Sequence, residues 1–507
     1  RNDSFNWNTT LNEAMDKTGG NASFVVSAGD QIQTTKKKSP GKSEMTSEIE
    51  YTGYLSPDVL KSLPVATTVG NHDADNANYT YHFNTPNSSD LGSNGVVGGD
   101  YYFTYGNTLF MMLNTQDTNA AEHKQFMEQA IAANPNCTWR VVTLHQDIYG
   151  SAEHSNEPEI TNLRYTLVPY FEANDVDVVL TGHDHAYSRT HILEGGHKTV
   201  EYTDDEFDAE LDKDMDAGEN PATRYEAPAN ISADSKEPAD VAYLNYLNAV
   251  MDKDAVEDTE KGETVVNPDG ILYMTANSSS GSKYYDLVPR MQSYIANRWQ
   301  EDVPTYSVID VTDNTFTINT YRTDNDQKID ETFTIKKGVT EDIKSASVGN
   351  VKNQIYTGKQ IQPAIKVTLN GKTLKAGKDY TVTYTDNKNT GLAKATINGI
   401  GKYTGTQTVT FKIVPKKAVL KTVKAGKSGT ATVTIGKAGG KVSGYAIQVS
   451  TDSSFKKVTT YRTAKTTYTL KNLSKGKTYY VRVKAFTKVS DKNVYGAASK
   501  TIKVKAK

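Results

Sequence analysis

From Asn21 to Thr181 the chain alternates short apolar runs with amphipathic stretches, and four runs end directly in polar residues: SFVVSAGD, PVATTVGNHD, RVVTLHQDIYG and VDVVLTGHDH. Runs rich in Val and Leu that do not alternate predict strands buried on both faces, whereas AAEHKQFMEQAIAAN repeats at helical spacing. The pattern predicts a layered α/β architecture flanked by helices. In open α/β sheets, sites assemble beyond the carboxyl ends of strands, where Asp30, Asn71, His72, His145, His183 and His185 all fall. Between His191 and Gly270 the regular pattern fades, and 22 acids stand against 6 bases. That stretch predicts an inserted acidic loop, a flexible lid, since it contains no D-x-D-x-D-G calcium loop. The pattern resumes at ILYMTANSSSGSKYY and closes with TYSVIDVTDNTFTINTYRTD, which predicts a hairpin around Asp313 and Asn314. Beyond it, helical periods vanish and turn signals recur roughly every 8 to 12 residues, the pattern of β-sandwiches. The expected organisation is one α/β domain over residues 1–338, with its insertion at about 192–270, then two all-β sandwich modules at 345–415 and 416–507.

Length supports this division, because 507 residues exceed what a single core holds. No run of 18 apolar residues occurs, so no transmembrane segment is expected, and RNDSFNWNTT is not a signal peptide. The opening on Arg1 points to a processed protein or a piece of a longer one. Cys137 stands alone, which excludes a disulfide framework and a cysteine-based zinc site. A metal centre would have to use His, Asp and Asn.

The net charge of −3 conceals an asymmetry. From Glu341 onward there are 33 Lys and Arg against 6 Asp and Glu, a charge of +27, and the first 340 residues carry −30. An acidic body argues against nucleic acid as a partner. A basic tail suits an anionic cell-wall polymer, or is simply the solvated surface of lysine-rich β-modules.

Hydrolysing a phosphoester requires an acidified water and neutralisation of charge on the transferring group, which two divalent ions can supply. A carboxylate can bridge two ions, imidazoles suit zinc, iron or manganese, and an amide oxygen completes a shell. Here GDQI at Gly29–Ile32, GNHD at Gly70–Asp73, His145 in LHQDIYG and GHDH at Gly182–His185 follow one another in order. A GHxH match alone is weak, but four ordered motifs on four strand ends are specific. Over Asn21–Asp324 the chain resembles the calcineurin-like metallophosphoesterases, nearest to their purple acid phosphatase-like subgroup, given HAYSR and PTYSVIDV. In the tail, LSKGKTYYVRVKAF, with Leu473 and Tyr479 at tyrosine-corner spacing, resembles fibronectin type III, and GKYTGTQTVTFKI resembles a bacterial immunoglobulin-like module.

The resemblance implies that Asp30 bridges two divalent ions (zinc, manganese or iron), that Asn71, His145 and His183 complete one site, and that His185 serves the other. It implies that His72 sits beside the phosphate as proton donor or charge stabiliser with Asp73 orienting it, and that His154 faces the substrate. His82, His123, His191 and His197 carry no motif and are read as surface or packing residues. Two departures matter. The family's first Asp motif has no counterpart before SFVVSAGD and is expected upstream of Arg1, so the His185 site lacks a carboxylate as the sequence stands. Purple acid phosphatases place a Tyr three residues after the bridging Asp, where this chain has Gln33, so a purple ferric site is not expected. The implied function is hydrolysis of a phosphomonoester, nucleotide or phosphodiester, on a small molecule or a polymer, by a two-metal-activated water in a secreted or envelope-associated bacterial protein. The alternative is an envelope adhesion protein with a vestigial phosphatase-like domain.

Overall fold

Each non-alternating run of the first part of the chain becomes a strand. The computed structural model describes residues 4–34, 43–196, 202–209, 234–238, 241, 255, 264–288 and 291–507. Most of the expected acidic insertion, and His197, lie outside the described residues. Two compact units result, residues 1–337 and 338–507.

In the first unit β1 (Val25–Ser27) and β2 (Val65–Thr67) pair in parallel as a sheet of their own. Strands β3 (Tyr101–Tyr105), β4 (Thr108–Met112), β5 (Trp139–Thr143), β6 (Val178–Thr181), β7 (Tyr187–Thr190), β8 (Thr264–Val266), β9 (Leu272–Thr275) and β10 (Ile295–Trp299) follow. All of these except β8 form a seven-stranded sheet in the order β10-β7-β9-β6-β5-β4-β3, with β4, β5, β6 and β9 mutually parallel. Strands β11 (Thr305–Val311), β12 (Thr315–Arg322) and β13 (Phe333–Lys336) join β8 in a second sheet, and β11 and β12 form the expected antiparallel hairpin. The four signature runs therefore occupy two sheets rather than one.

Burial on both faces explains why β4, β5, β6 and β9 lack alternation. Leu109, Met111, Val142, Val179 and Tyr273 pack toward Phe126 and Met127 of α4 (Ala120–Ala133) and Leu163, Leu167 and Phe171 of α5 (Pro158–Ala173). Their neighbours Phe110, Val141, Val178, Leu272 and Met274 pack on Phe316, Ile318, Phe333 and Ile335 of the second sheet. The layers are thus helices, sheet, sheet. Helices α1 (Ser4–Lys17), α2 (Ser43–Tyr54) and α3 (Tyr79–His82) lie earlier in the chain, and α5 begins at Pro158, where a missing N–H costs nothing.

One buried ion pair ties α4 to the sheet. His123 Nδ1 lies 2.7 Å from Asp100 Oδ2 and its Nε2 lies 2.8 Å from the Asp117 carbonyl, with both side chains fully buried. Both partners are acceptors, so both ring nitrogens donate and the ring is an imidazolium. His123→Gln should strand the Asp100 carboxylate and cost about 3 kcal/mol. A urea midpoint equal to wild type would show that the pair is not charged.

The second unit holds two separate cores, one from Ile343 to Ile413 and one from Ala418 to Ala506. In the latter, the Ser474 N–H donates to the Tyr479 hydroxyl at 3.0 Å, which is the tyrosine corner the Leu473–Tyr479 spacing predicts. Among the described residues no helix is long and apolar enough to cross a membrane.

Candidate metal centre

The signature residues sit where β1, β2, β5 and β6 run out, and glycines bring those ends together. Gly182 N–H donates to the His145 carbonyl at 2.9 Å, and Thr68, just past β2, donates to the carbonyls of Ser27 and Leu113. A Cβ on Gly29 would lie 2.4 Å from His145 Nδ1, one on Gly70 2.2 Å from Asp30 Oδ1, and one on Gly182 2.8 Å from the Ala28 carbonyl. No side chain fits at such distances. Asp30, His183 and His185 adopt left-handed φ angles of 53°, 73° and 49°, uncommon for residues with a Cβ and concentrated here at three of the expected site positions.

Four expected ligands converge on His145 Nε2, itself one of them. Asn71 Oδ1 is 3.0 Å away, His183 Nδ1 3.2 Å and Asp30 Oδ1 3.4 Å. His145 Nδ1 donates to the Ala28 carbonyl at 2.7 Å, which leaves Nε2 facing a carboxylate oxygen, an amide oxygen and a second imidazole. Acceptors meeting at one point need a positive centre between them, which a proton on Nε2 or a divalent ion supplies. Burial disfavours charge on Asp30, yet His145, and less strongly His72, hold its carboxyl well below the usual range. Burial likewise opposes charge on His145, but Asp30 raises it above the ordinary imidazole value. Among the described residues no group of three or more His, Cys, Asp or Glu is arranged as a metal site on its own. The set here includes an amide, and its donors sit at hydrogen-bond distance from one another. The donor chemistry fits a divalent ion, and the exposed Asn71 and half-buried His183 leave the cluster open to solvent.

The remaining expected residues are placed differently. His185 is buried, with its ring 5.0 Å from that of Tyr285. His72, expected beside the substrate, is buried: its backbone N–H donates to Asp30 Oδ1 at 2.9 Å, its Nδ1 donates to the Gln33 carbonyl at 2.7 Å, and its Nε2 lies 3.8 Å from Asp30 Oδ2. Asp73 was expected to orient His72, but that role falls to Gln33. Asp73 instead accepts from Gly70 N–H at 3.0 Å and from the Tyr51 hydroxyl at 2.9 Å, holding the turn after β2, and burial together with Asp30 pushes its carboxyl up to about 7. His154 keeps 30% of its side chain exposed, packs its ring 5.8 Å from that of His183, and bonds Glu157 at 2.6 Å.

Several contributors have no motif of their own. The Ser155 hydroxyl contacts Asp147 Oδ2 at 2.6 Å and Asp184 Oδ2 at 2.7 Å, while Asp184 Oδ1 accepts the His154 N–H at 3.1 Å. One hydroxyl proton cannot serve two carboxylates, so one of the two acids is protonated, in line with burial raising both. Arg164 of α5, fully buried, donates to the Ile148 and Ser155 carbonyls and to Asn156 Oδ1, clamping the same loop. Tyr285 stands between His154, at 4.5 Å, and His185, brought there by the Ala152–Leu287 bridge. Asp184 and Asp147 lie inside GHDH and LHQD, which was the only signal available for them.

Residues 5–187 match the family model described as Calcineurin-like phosphoesterase, and residues 420–501 match Fibronectin type III domain. Two uncharacterized proteins of Mycobacterium tuberculosis are each 26% identical over 156 residues, covering 26% of this chain and 29% of each relative. The chain therefore spans less than a third of those relatives. A purple acid phosphatase from yellow lupin (Lupinus luteus) seeds aligns at 14% identity and a TM-score of 0.38, over 65% of this chain and 49% of that one. An Fn3-like protein from Clostridium thermocellum aligns at 25% identity over 18% of this chain and 91% of its own, with a TM-score of 0.15. Four ordered motifs on converging strand ends agree with the first model and the Tyr479 corner with the second: the chain carries a calcineurin-like phosphoesterase domain and, near its end, a fibronectin type III domain.

Proposed function

We propose that the first unit is a metal-dependent hydrolase of phosphoesters. The observation that carries this reading is the convergence of Asp30, Asn71 and His183 on Nε2 of His145 at 3.0 to 3.4 Å. These four would hold one divalent ion, and His185 would contribute to a second. Bound ions would supply an acidified water and neutralise charge on the phosphoryl oxygens. The chain itself supplies orientation: the Ala28 carbonyl fixes the tautomer of His145, and His72 braces Asp30. His154, the more exposed of the two non-ligand histidines, is the group that meets the leaving oxygen and gives it a proton. In this reading the protein is secreted or associated with the cell envelope, with residues 345–415 as an immunoglobulin-like spacer before the fibronectin module.

The two histidines separate experimentally. His154→Ala should lower turnover by about a hundredfold or more while metal content stays constant. His72→Ala should instead weaken metal binding roughly tenfold to a hundredfold, because it loosens Asp30. Elemental analysis beside kinetics reads both. If His154→Ala loses metal in step with activity, the assignment of roles is wrong.

A further inference from the structure

Six of the 33 basic residues of the tail share one surface. In the last module a long strand, Thr478–Val489, pairs with Gly444–Ser450 on one side and with Lys492–Tyr495 and Ile502–Lys505 on the other, while Gly444–Ser450 also pairs with Thr459–Thr463. Opposed residues in such ladders share a face. Tyr445, Ile447, Val449, Val481, Val483, Ala485 and Val504 point into the core. The register then assigns Arg462, Arg482, Lys484, Lys488, Lys503 and Lys505 to the opposite, outer face: Ala446 stands opposite both Arg462 and Lys484, Gln448 opposite Arg482, Tyr480 opposite Lys503, and Thr478 opposite Lys505. Contacts agree with this placement. Arg482 Nε donates to Gln448 at 2.7 Å, and Arg462 reaches across the small Ala446 toward the Tyr495 hydroxyl at 3.3 Å. The only acids of the module, Asp452 and Asp491, lie in turns beyond the ends of these strands. Asp452 is already engaged by Ser454 and the Lys456 N–H.

We propose that this outer face binds a linear polymer of phosphodiester units without bases, a poly(polyol phosphate). Six cations with no carboxylate among them form a surface complementary to a polyanion. Alternate residues along a strand lie about 7 Å apart and neighbouring strands about 4.8 Å apart, so the cations repeat on the scale of one phosphate per monomer of an extended chain. Arg462 and Arg482 supply planar forks that match phosphate oxygens, which Lys alone would not. The proposal does not depend on the reading of the first unit.

The test uses the full chain and a fluorescently labelled poly(glycerol phosphate), followed by anisotropy with EDTA present so that no metal-dependent cleavage intervenes. The variant Arg462→Gln, Arg482→Gln, Lys484→Gln should bind at least tenfold more weakly, with an unchanged thermal midpoint. A control with the same charge change on the strand Val419–Ala425 of the other sheet and in the turn after it, Lys421→Gln, Lys424→Gln and Lys427→Gln, should bind as wild type does. Wild-type binding should also fall steeply between 50 and 200 mM salt, as phosphate contacts require. Equal weakening in both variants would reduce the effect to bulk charge and overturn the proposal, as would absence of binding by the wild type. Equal or tighter binding of labelled oligo(dT) would overturn it in favour of single-stranded nucleic acid. Should the triple variant melt early, Arg482→Lys alone decides: affinity equal to wild type would contradict the role of the guanidinium fork.

Discussion

Asp30→Asn should lower phosphoester hydrolysis by roughly a thousandfold or more and remove most bound metal, because the carboxylate is the one full negative charge among the four converging donors. The substitution is nearly isosteric. The amide can still accept the His72 N–H through its oxygen, so folding should be little changed. What disappears is the charge that keeps His145 above its ordinary pKa and balances a divalent cation. Kinetics on p-nitrophenyl phosphate beside elemental analysis would check this. A variant that keeps wild-type metal content would remove Asp30 from the ligand set.

Gly70→Ala should do comparable damage without changing any candidate ligand. The added methyl would stand 2.2 Å from Asp30 Oδ1 and 2.3 Å from its backbone nitrogen, closer than any real Cβ approaches another atom. The backbone cannot yield locally, since the Gly70 N–H is held by Asp73, which Tyr51 holds in turn. The clash therefore resolves by displacing Asp30, and a misplacement of about 1 Å at a reacting centre costs on the order of a hundredfold. Circular dichroism should show an intact fold while metal affinity and turnover fall together. Unchanged metal binding would mean that the two strand ends are not held as tightly as the glycine geometry requires.

These expectations show where the chain was legible. The runs before His145 and His183 were readable as strands because burial on both faces abolishes alternation, whereas those before Asp30 and Asn71 form strands that are only half-buried; the polar residue ending each run then had to sit at an edge. The glycine before each of Asp30, Asn71 and His183 was readable as a motif letter, but its cause, a steric clash with a residue from another strand, exists only in three dimensions. Asp73 makes other contacts than its place beside His72 suggests, for the same reason. Adjacency to His72 in sequence suggested contact, whereas the turn after β2 points its carboxylate back at Gly70. Ser155 and Arg164 left no trace in sequence pattern, because a serine in a loop and an arginine on a helix are ordinary until folding buries them. Tyr285 lies a hundred residues beyond His185 and reaches it through the Ala152–Leu287 bridge, a pairing too short to carry a periodic signal.

The central claim, a phosphoesterase whose activity depends on ions held by the Asp30, Asn71, His145 and His183 cluster, is tested most directly by metal titration. Protein stripped with a chelator should release no phosphate from p-nitrophenyl phosphate, regain hydrolysis as zinc or manganese is added, and saturate at a fixed number of ions per chain. Hydrolysis that survives stripping, or saturable metal binding to wild type that persists undiminished in the Asp30→Asn, His145→Ala double variant, would contradict it.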